Sequence, residues 1–246
     1  MSGKSIDYDH VSAIYDSVRT GDPEMVHQLL TRIDSDREMQ VLDVGCGTAN
    51  NTLLFAKASN MSVTGLDLSL GMLYEASKKA SEISFVQAPA DRIPFCDSSF
   101  GFVFMTEVIH HLPNVSLAIS EIYRILADQG STCIVTQSHP QIASRMTSRF
   151  FPATVAIDQA RYPSISLLEQ YMKHVGFSRV EPHSYSFAPV RLGADYLHSV
   201  EQRGFSMLHK ITDEEYEQGL RALRIAMTDG QTLDYSAGYT FVWGFR

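Results

Sequence analysis

Cysteine is scarce and scattered: Cys46, Cys96 and Cys133 are an odd number with no CxxC pair. That excludes a disulfide framework and a thiolate zinc site, and it suits a reducing compartment. No run approaches the roughly 18 apolar residues a membrane span requires. The opening MSGKSIDYDH lacks the apolar stretch of a secretory signal, so a soluble, cytoplasmic chain with no membrane partner is expected. Positive charge is also short. Twenty Lys and Arg stand against 28 Asp and Glu, a formal charge of −8, with no basic run. Nucleic-acid binding needs a basic surface to neutralise phosphates, so no nucleic-acid partner is expected. Internal repeats, low-complexity segments and linkers are absent too.

What is present is ordinary globular composition. Hydrophobic residues make up 44% of 246, enough for a sizeable core. The expected organisation is a single domain: residues 1–38 a helical cap, 39–138 a cofactor-binding core, and 139–246 lid segments with the last helices and strands. In the cap, Val11, Ile14, Tyr15 and Val18 share one helical face, and Tyr8 is either a lid over the pocket or part of that helix. A second helix opens at Asp22 as N-cap, with Pro23 in its first position.

From Gln40 the pattern becomes short apolar runs alternating with helices. The predicted strands are Gln40–Val44, Met61–Leu66, Ile83–Gln87, Phe100–Thr106 and Ser131–Gln137, with helices near Asn51–Ala58, Ser69–Glu82 and Val115–Ala127. This order implies a doubly wound α/β fold with a mostly parallel sheet. Residues 139–163 read as an irregular insertion over the sheet. Phe150, Phe151, Arg161 and Tyr162 in it either line an apolar substrate pocket or pack the lid down. A helix over Ser164–Val175 follows, stopped by Gly176. Then come strand candidates Arg179–Ala188 and Ala237–Gly244, with a capping box at Thr212–Glu215 between them.

The chemistry concentrates in the first strand–helix turn, Asp43-Val-Gly45-Cys-Gly47-Thr-Ala49-Asn50. Gly45 and Gly47 permit a tight turn and close approach of a ligand to the backbone. Asp67 ends the second strand twenty residues after Gly47, where a carboxylate can accept both hydroxyls of a ribose. The same pattern arises as a structural glycine turn beside a strand-end aspartate. A dinucleotide site uses G-x-G-x-x-G, whereas the sixth position here is Asn50 and the third small residue is Ala49. The spacing therefore points to a nucleoside rather than a pyrophosphate.

With these residues in place, the sequence resembles the class I S-adenosylmethionine-dependent methyltransferases, in particular the broad small-molecule and ubiquinone/menaquinone-biosynthesis group. Tyr15–Arg19, Val41–Asn50 with Val63–Ser69, Ala88–Phe100, Thr106–Leu112 and Glu121–Leu126 carry the likeness in order. It implies a Rossmann-like seven-stranded sheet with an antiparallel last strand and helical lids. It also implies S-adenosyl-L-methionine as cofactor, S-adenosyl-L-homocysteine as product, and a small-molecule substrate, in a monomer or homodimer. By the same resemblance Gly45, Cys46 and Gly47 pass beneath the methionine portion with Asp43 below them, and Asp67 holds the ribose. Leu68 and Met72 lie against the adenine, and Ala90 and Asp91 along its edge. Thr106, Glu107 and Val108 flank the sulfonium, and Tyr15 and Arg19 close over the methionine end. Two positions depart from the family: Pro89, where a carboxylate often accepts the adenine amino group, and Gly101, often an aspartate.

Methyl transfer needs binding, alignment and exclusion of water more than a covalent catalyst, and it needs no metal. His110 and His111 follow the fourth strand. One of them is a candidate general base for an acceptor that must lose a proton; the alternative is that both fix the loop. His139, after the fifth strand, reads as loop structure. The competing functions are an S-adenosylmethionine-binding protein without catalysis, an NAD-dependent oxidoreductase, which needs a pyrophosphate site and a proton relay found nowhere here, and an RNA methyltransferase.

Overall fold

In a computed structural model of the chain, the described residues are 20–34, 38–236 and 238–246. The stretch expected to form the first cap helix, with Tyr8, Tyr15 and Arg19, lies outside them. The strands are β1 Gln40–Val44, β2 Ser62–Asp67, β3 Ser84–Gln87, β4 Phe100–Thr106, β5 Leu126–Thr136, β6 Arg179–Ser186, β7 Val190–Arg191, β8 Asp234–Tyr235 and β9 Gly238–Phe245. Seven of them form one sheet in the order β3-β2-β1-β4-β5-β9-β6. The first five run parallel, and β9 inserts antiparallel between β5 and β6. The expected doubly wound seven-stranded fold is the one found. β7 and β8 make a separate ribbon.

Central strands read as continuous apolar runs because helices cover both faces, and alternation within them feeds two cores. Val103 and Met105 of β4 join Leu42, Val44 and Ile134 in one core. It is closed by the helices α4 Val115–Ile125 and α8 Ile165–Val175, through Ile119, Ile122, Leu168 and Met172. Phe102 and Phe104 turn the other way, into a core with Val41, Phe55 and Trp243. There Phe55 stacks on Phe104 at 4.9 Å and Phe102 on Trp243 at 5.7 Å. That face is closed by α1 Pro23–Leu30 and α2 Asn50–Ala58; Asp22 caps α1 as expected, accepting from the Met25 N–H with Pro23 in the first turn. α3 Leu70–Lys79 forms the crossover from β2 to β3.

Two expectations need correction. β5 starts at Leu126 directly from the end of α4, five residues earlier than the apolar run suggests. Its polar stretch 127–130 is carried by a register shift, with Phe100 opposite Leu126 but Phe102 opposite Ser131. And the stretch 139–163 is largely helical: α5 His139–Ala143, α6 Met146–Phe150 and α7 Ala153–Arg161. Its inward positions include Thr147, Ser148, Thr154 and Asp158, so the apolar periodicity that marks a helix is missing. With α9 Ala194–Glu201 and α10 Asp213–Thr228 these segments build a third core around Phe151, Leu208, Tyr216 and Leu223. Among the described residues no helix is long and apolar enough to cross a membrane.

Candidate active site

β1 and β4 are neighbours whose crossovers run in opposite directions along the sheet. At such a switch point the loops beyond the strand ends splay apart and leave a crevice. A cavity of about 860 Å³ opens there, roofed by the third core. It falls in the upper part of the roughly 300–1,000 Å³ range of ligand sites.

Its floor is the 45–49 loop. Gly45, Gly47 and Ala49 take positive φ of 77°, 55° and 64°, so every second residue coils the backbone. A methyl on Gly45 would stand 2.4 Å from Val108 Cγ2, which leaves glycine as the residue that fits. A methyl on Gly47 would meet nothing within 4 Å; its bare backbone faces open space. Ala49, fully buried, holds the left-handed conformation at about 1–2 kcal/mol of strain and caps α2 without a side-chain bond.

Asp67 closes this floor. Its Oδ2 accepts the Gly47 N–H at 2.8 Å and its Oδ1 the Ser69 N–H at 2.9 Å. Both oxygens are thereby aimed, and each keeps acceptor capacity for a ligand. Asp67 lines the cavity together with Leu68 and Met72, and Ala90 and Asp91 follow along the same side. Leu68 is exposed and Met72 buried. Gly45, Cys46 and Gly47 line the floor, and Thr106, Glu107 and Val108 the end of β4.

Asp43 is placed differently. It is buried beneath the loop, outside the cavity lining, and accepts the Thr52 hydroxyl at 2.7 Å. Its place is therefore that of a support under the floor. Burial raises its pKa to about 7, with Asp67 adding to the rise and Thr52 opposing it. A carboxyl whose folded pKa exceeds its unfolded one stabilises the fold at low pH, and that stabilisation is lost as pH climbs through the folded value. Relative to Asp43→Asn, the wild type is accordingly expected to lose stability from about pH 4 to pH 7. Urea midpoints across that range measure it; parallel pH profiles would contradict it.

The opposite wall centres on Tyr162. Its ring stacks on His110 at 3.8 Å and 11°, its hydroxyl donates to Glu107 Oε2 at 3.2 Å, and its carbonyl oxygen lies 2.9 Å from His139 Nε2. Glu107 itself sits at φ +57°, a strained conformation for a non-glycine residue at the end of a strand. Beside it Arg145 gives Nε to Gln137 and Nη1 to Asp158, both at 2.5 Å, and Arg161 Nη2 reaches Asp158 Oδ1 at 2.8 Å. His110 is buried, while His111 is exposed on the cavity rim.

Sequence reasoning missed Arg145, Gln137 and Asp158. The available signal was Thr154 and Asp158, spaced i, i+4 on one face like core residues but polar. It also missed Asn51, which accepts the Asp22 N–H at 2.8 Å and donates to Thr106 Oγ1 at 3.2 Å, tying α1 to the end of β4.

Comparison with known proteins agrees with this geometry. Residues 42–134 match the family model described as a methyltransferase domain. The chain is 29% identical over 117 residues to an O-methyltransferase, rstn1, of Aspergillus nomiae, which covers 45% of this chain and 52% of that protein; it thus spans about half of that relative. It is 26% identical over 175 residues to the demethylmenaquinone methyltransferase of Chlorobaculum tepidum, covering 63% of this chain and 72% of the relative. Among solved structures, a candidate methyltransferase of an antibiotic-biosynthesis pathway from Anabaena variabilis superposes with a TM-score of 0.79 at 18% identity, over 93% of this chain and 99% of the other.

Proposed function

We propose that the chain is a class I S-adenosylmethionine-dependent methyltransferase, as its match to a methyltransferase domain and its likeness to demethylmenaquinone methyltransferase support, and that it moves a methyl group from S-adenosylmethionine to a small acceptor held in this same cavity. The observation that carries the reading is Asp67, pinned by two backbone N–H groups at the edge of the unfilled space before Gly47. A nucleoside fits there: the carboxylate accepts its ribose hydroxyls while bare backbone admits the chain attached to the sugar.

When bound, the cofactor supplies an electrophilic methyl on a sulfonium and leaves as the neutral thioether S-adenosylhomocysteine. The chain's own residues bind and align. Leu68 and Met72 flank the base, and Ala90 and Asp91 border its edge. Gly45, Cys46 and Gly47 run under the amino-acid portion, and Tyr15 and Arg19 are assigned to its far end. Thr106, Glu107 and Val108, at the end of β4, bound the space in which the acceptor approaches. His110, clamped flat against Tyr162, fixes that wall. His111 stands on the rim, where it can exchange a proton between acceptor and solvent. The roof of α6, α7 and α9 excludes water, and orientation of this kind contributes several kcal/mol to a displacement.

Calorimetric titration tests the assignment. S-adenosylmethionine and S-adenosylhomocysteine are expected to bind and NAD to give no heat. Binding of NAD alone would overturn the reading.

A further inference from the structure

The seven-stranded sheet has two edges, and they are built differently. β6 carries Arg179, Glu181 and His183, and Pro182 stands among them with no N–H to offer. Charge and proline of this kind keep an edge from pairing with another chain. β3, Ser84-Phe-Val-Gln87, has neither, and among the described residues its only strand neighbour is β2.

An apolar ridge runs beside that open edge. α3 packs on β2 and β3 and turns Met72, Leu73 and Ala76 inward. Lys79 marks the flank of α3 that faces the floor of the site, since its Nζ donates to Asn50 Oδ1 at 2.7 Å. At 3.6 residues per turn, Leu70 and Tyr74 fall on the opposite flank, beyond β3. They are 60% and 62% exposed. Leu68, also exposed, is tied to the end of β3 by Gln87 Nε2, which donates to its carbonyl at 3.1 Å. Lys78 lies over the Tyr74 ring and pairs with Glu75 at 2.8 Å, so the ridge has no net charge of its own.

We propose that this edge is where two copies of the chain meet, β3 pairing antiparallel with its own copy about a two-fold axis perpendicular to the sheet. Charge and geometry both favour a second copy over an unrelated strand. Opposed residues of an antiparallel pair share a face, so the two-fold sets either Phe85 or Val86 against itself. In the first register Ser84 opposes Val86, and in the second Phe85 opposes Gln87. Neither brings like charges together, in a chain whose net charge is −8. Paired strands lie about 4.8 Å apart, which places the two copies of α3, each seated over β2 and β3, about 10 Å apart. That is the separation at which helices pack. Leu70 and Tyr74 of each copy are then covered by the other, with the helices antiparallel and their dipoles opposed. An extended segment of another protein would pair with β3 and leave the ridge open. The inference is independent of the methyltransferase reading.

Sedimentation velocity of the whole chain tests it. The wild type is expected to reach twice the 27.5 kDa chain mass at micromolar concentration. Leu70→Glu combined with Tyr74→Glu sets like charges against each other across the axis and is expected to weaken the dimer at least about a hundredfold. A cooperative urea transition shows that this double variant is folded. His183→Glu, on the β6 edge, is expected to leave the dimer intact. Hydrogen exchange of the wild type gives a readout that needs no variant: the amides of Ser84–Gln87 are expected to exchange more slowly at dimer-forming concentration than in dilute solution. A monomer at every accessible concentration, a dimer that survives the double variant or is lost in His183→Glu, or β3 exchange independent of concentration would each overturn the inference. So would a different protein that binds the wild type and not the double variant while the chain itself stays monomeric, because the edge would then belong to that partner.

Discussion

Asp67→Ala is expected to weaken S-adenosylhomocysteine binding by at least about tenfold, because it deletes the carboxylate proposed to accept two ribose hydroxyls, each such bond contributing about 1.5–3 kcal/mol against about 1.4 kcal/mol per decade of affinity. The side chain does two things in this fold. It holds the Gly47 and Ser69 amides, which shapes the floor, and it presents its remaining acceptor capacity to the cavity. Asp67→Asn separates them: its amide oxygen can keep one backbone bond, but the charge is gone and its NH₂ cannot accept. Asparagine is therefore expected to retain most of the stability and lose most of the affinity. Calorimetry and urea unfolding on both variants read the two roles apart, and unchanged affinity in Asp67→Ala would refute the ribose assignment.

The second large effect is on stability. Asp158→Ala is expected to cost about 3–5 kcal/mol, the loss found when one partner of a buried ion pair is removed. Asp158 is fully buried between Arg145 and Arg161, whose side chains are 7% and 16% exposed. Without it two guanidinium groups remain under the roof with no carboxylate between them, and Arg145 also anchors Gln137, whose amide holds the Gly238 carbonyl at 2.7 Å. Because the defect lies in the roof core, the cofactor floor is expected to keep its shape. A fall in the urea midpoint at constant m measures the effect; a loss below about 1 kcal/mol would contradict it.

The parts of the molecule legible in the sequence are those where one residue type answers one local demand. The bounds expected for β1 and β4 agree with those of the structure to the residue, since strands covered on both faces read as largely apolar runs. The capping box at Thr212 was found because it satisfies two backbone donors in a fixed four-residue pattern. The floor of the site was legible for the same reason: Gly45 must avoid Val108, and Asp67 must stand at a strand end. The roof was not. α6 and α7 turn Thr147, Thr154 and Asp158 inward, and a polar face satisfied by Arg145 looks from sequence like no face at all. The pairing of Tyr162 with Glu107, 55 residues apart, depends on how α7 folds back over β4, which local pattern does not encode. Asp43 was legible as part of the loop, while its place beneath the floor came from the direction of alternation in β1.

The account stands on methyl transfer itself, and one measurement addresses it directly. The protein is incubated with S-adenosylmethionine labelled in the methyl group and a small-molecule extract freed of protein and RNA, and label is followed into the extracted products. Label is expected in a small-molecule product with wild-type protein, and at subsaturating cofactor much less of it with Asp67→Ala. If S-adenosylhomocysteine binds but no label leaves the cofactor for any small molecule, the chain binds the cofactor without catalysing transfer, and the central claim is wrong.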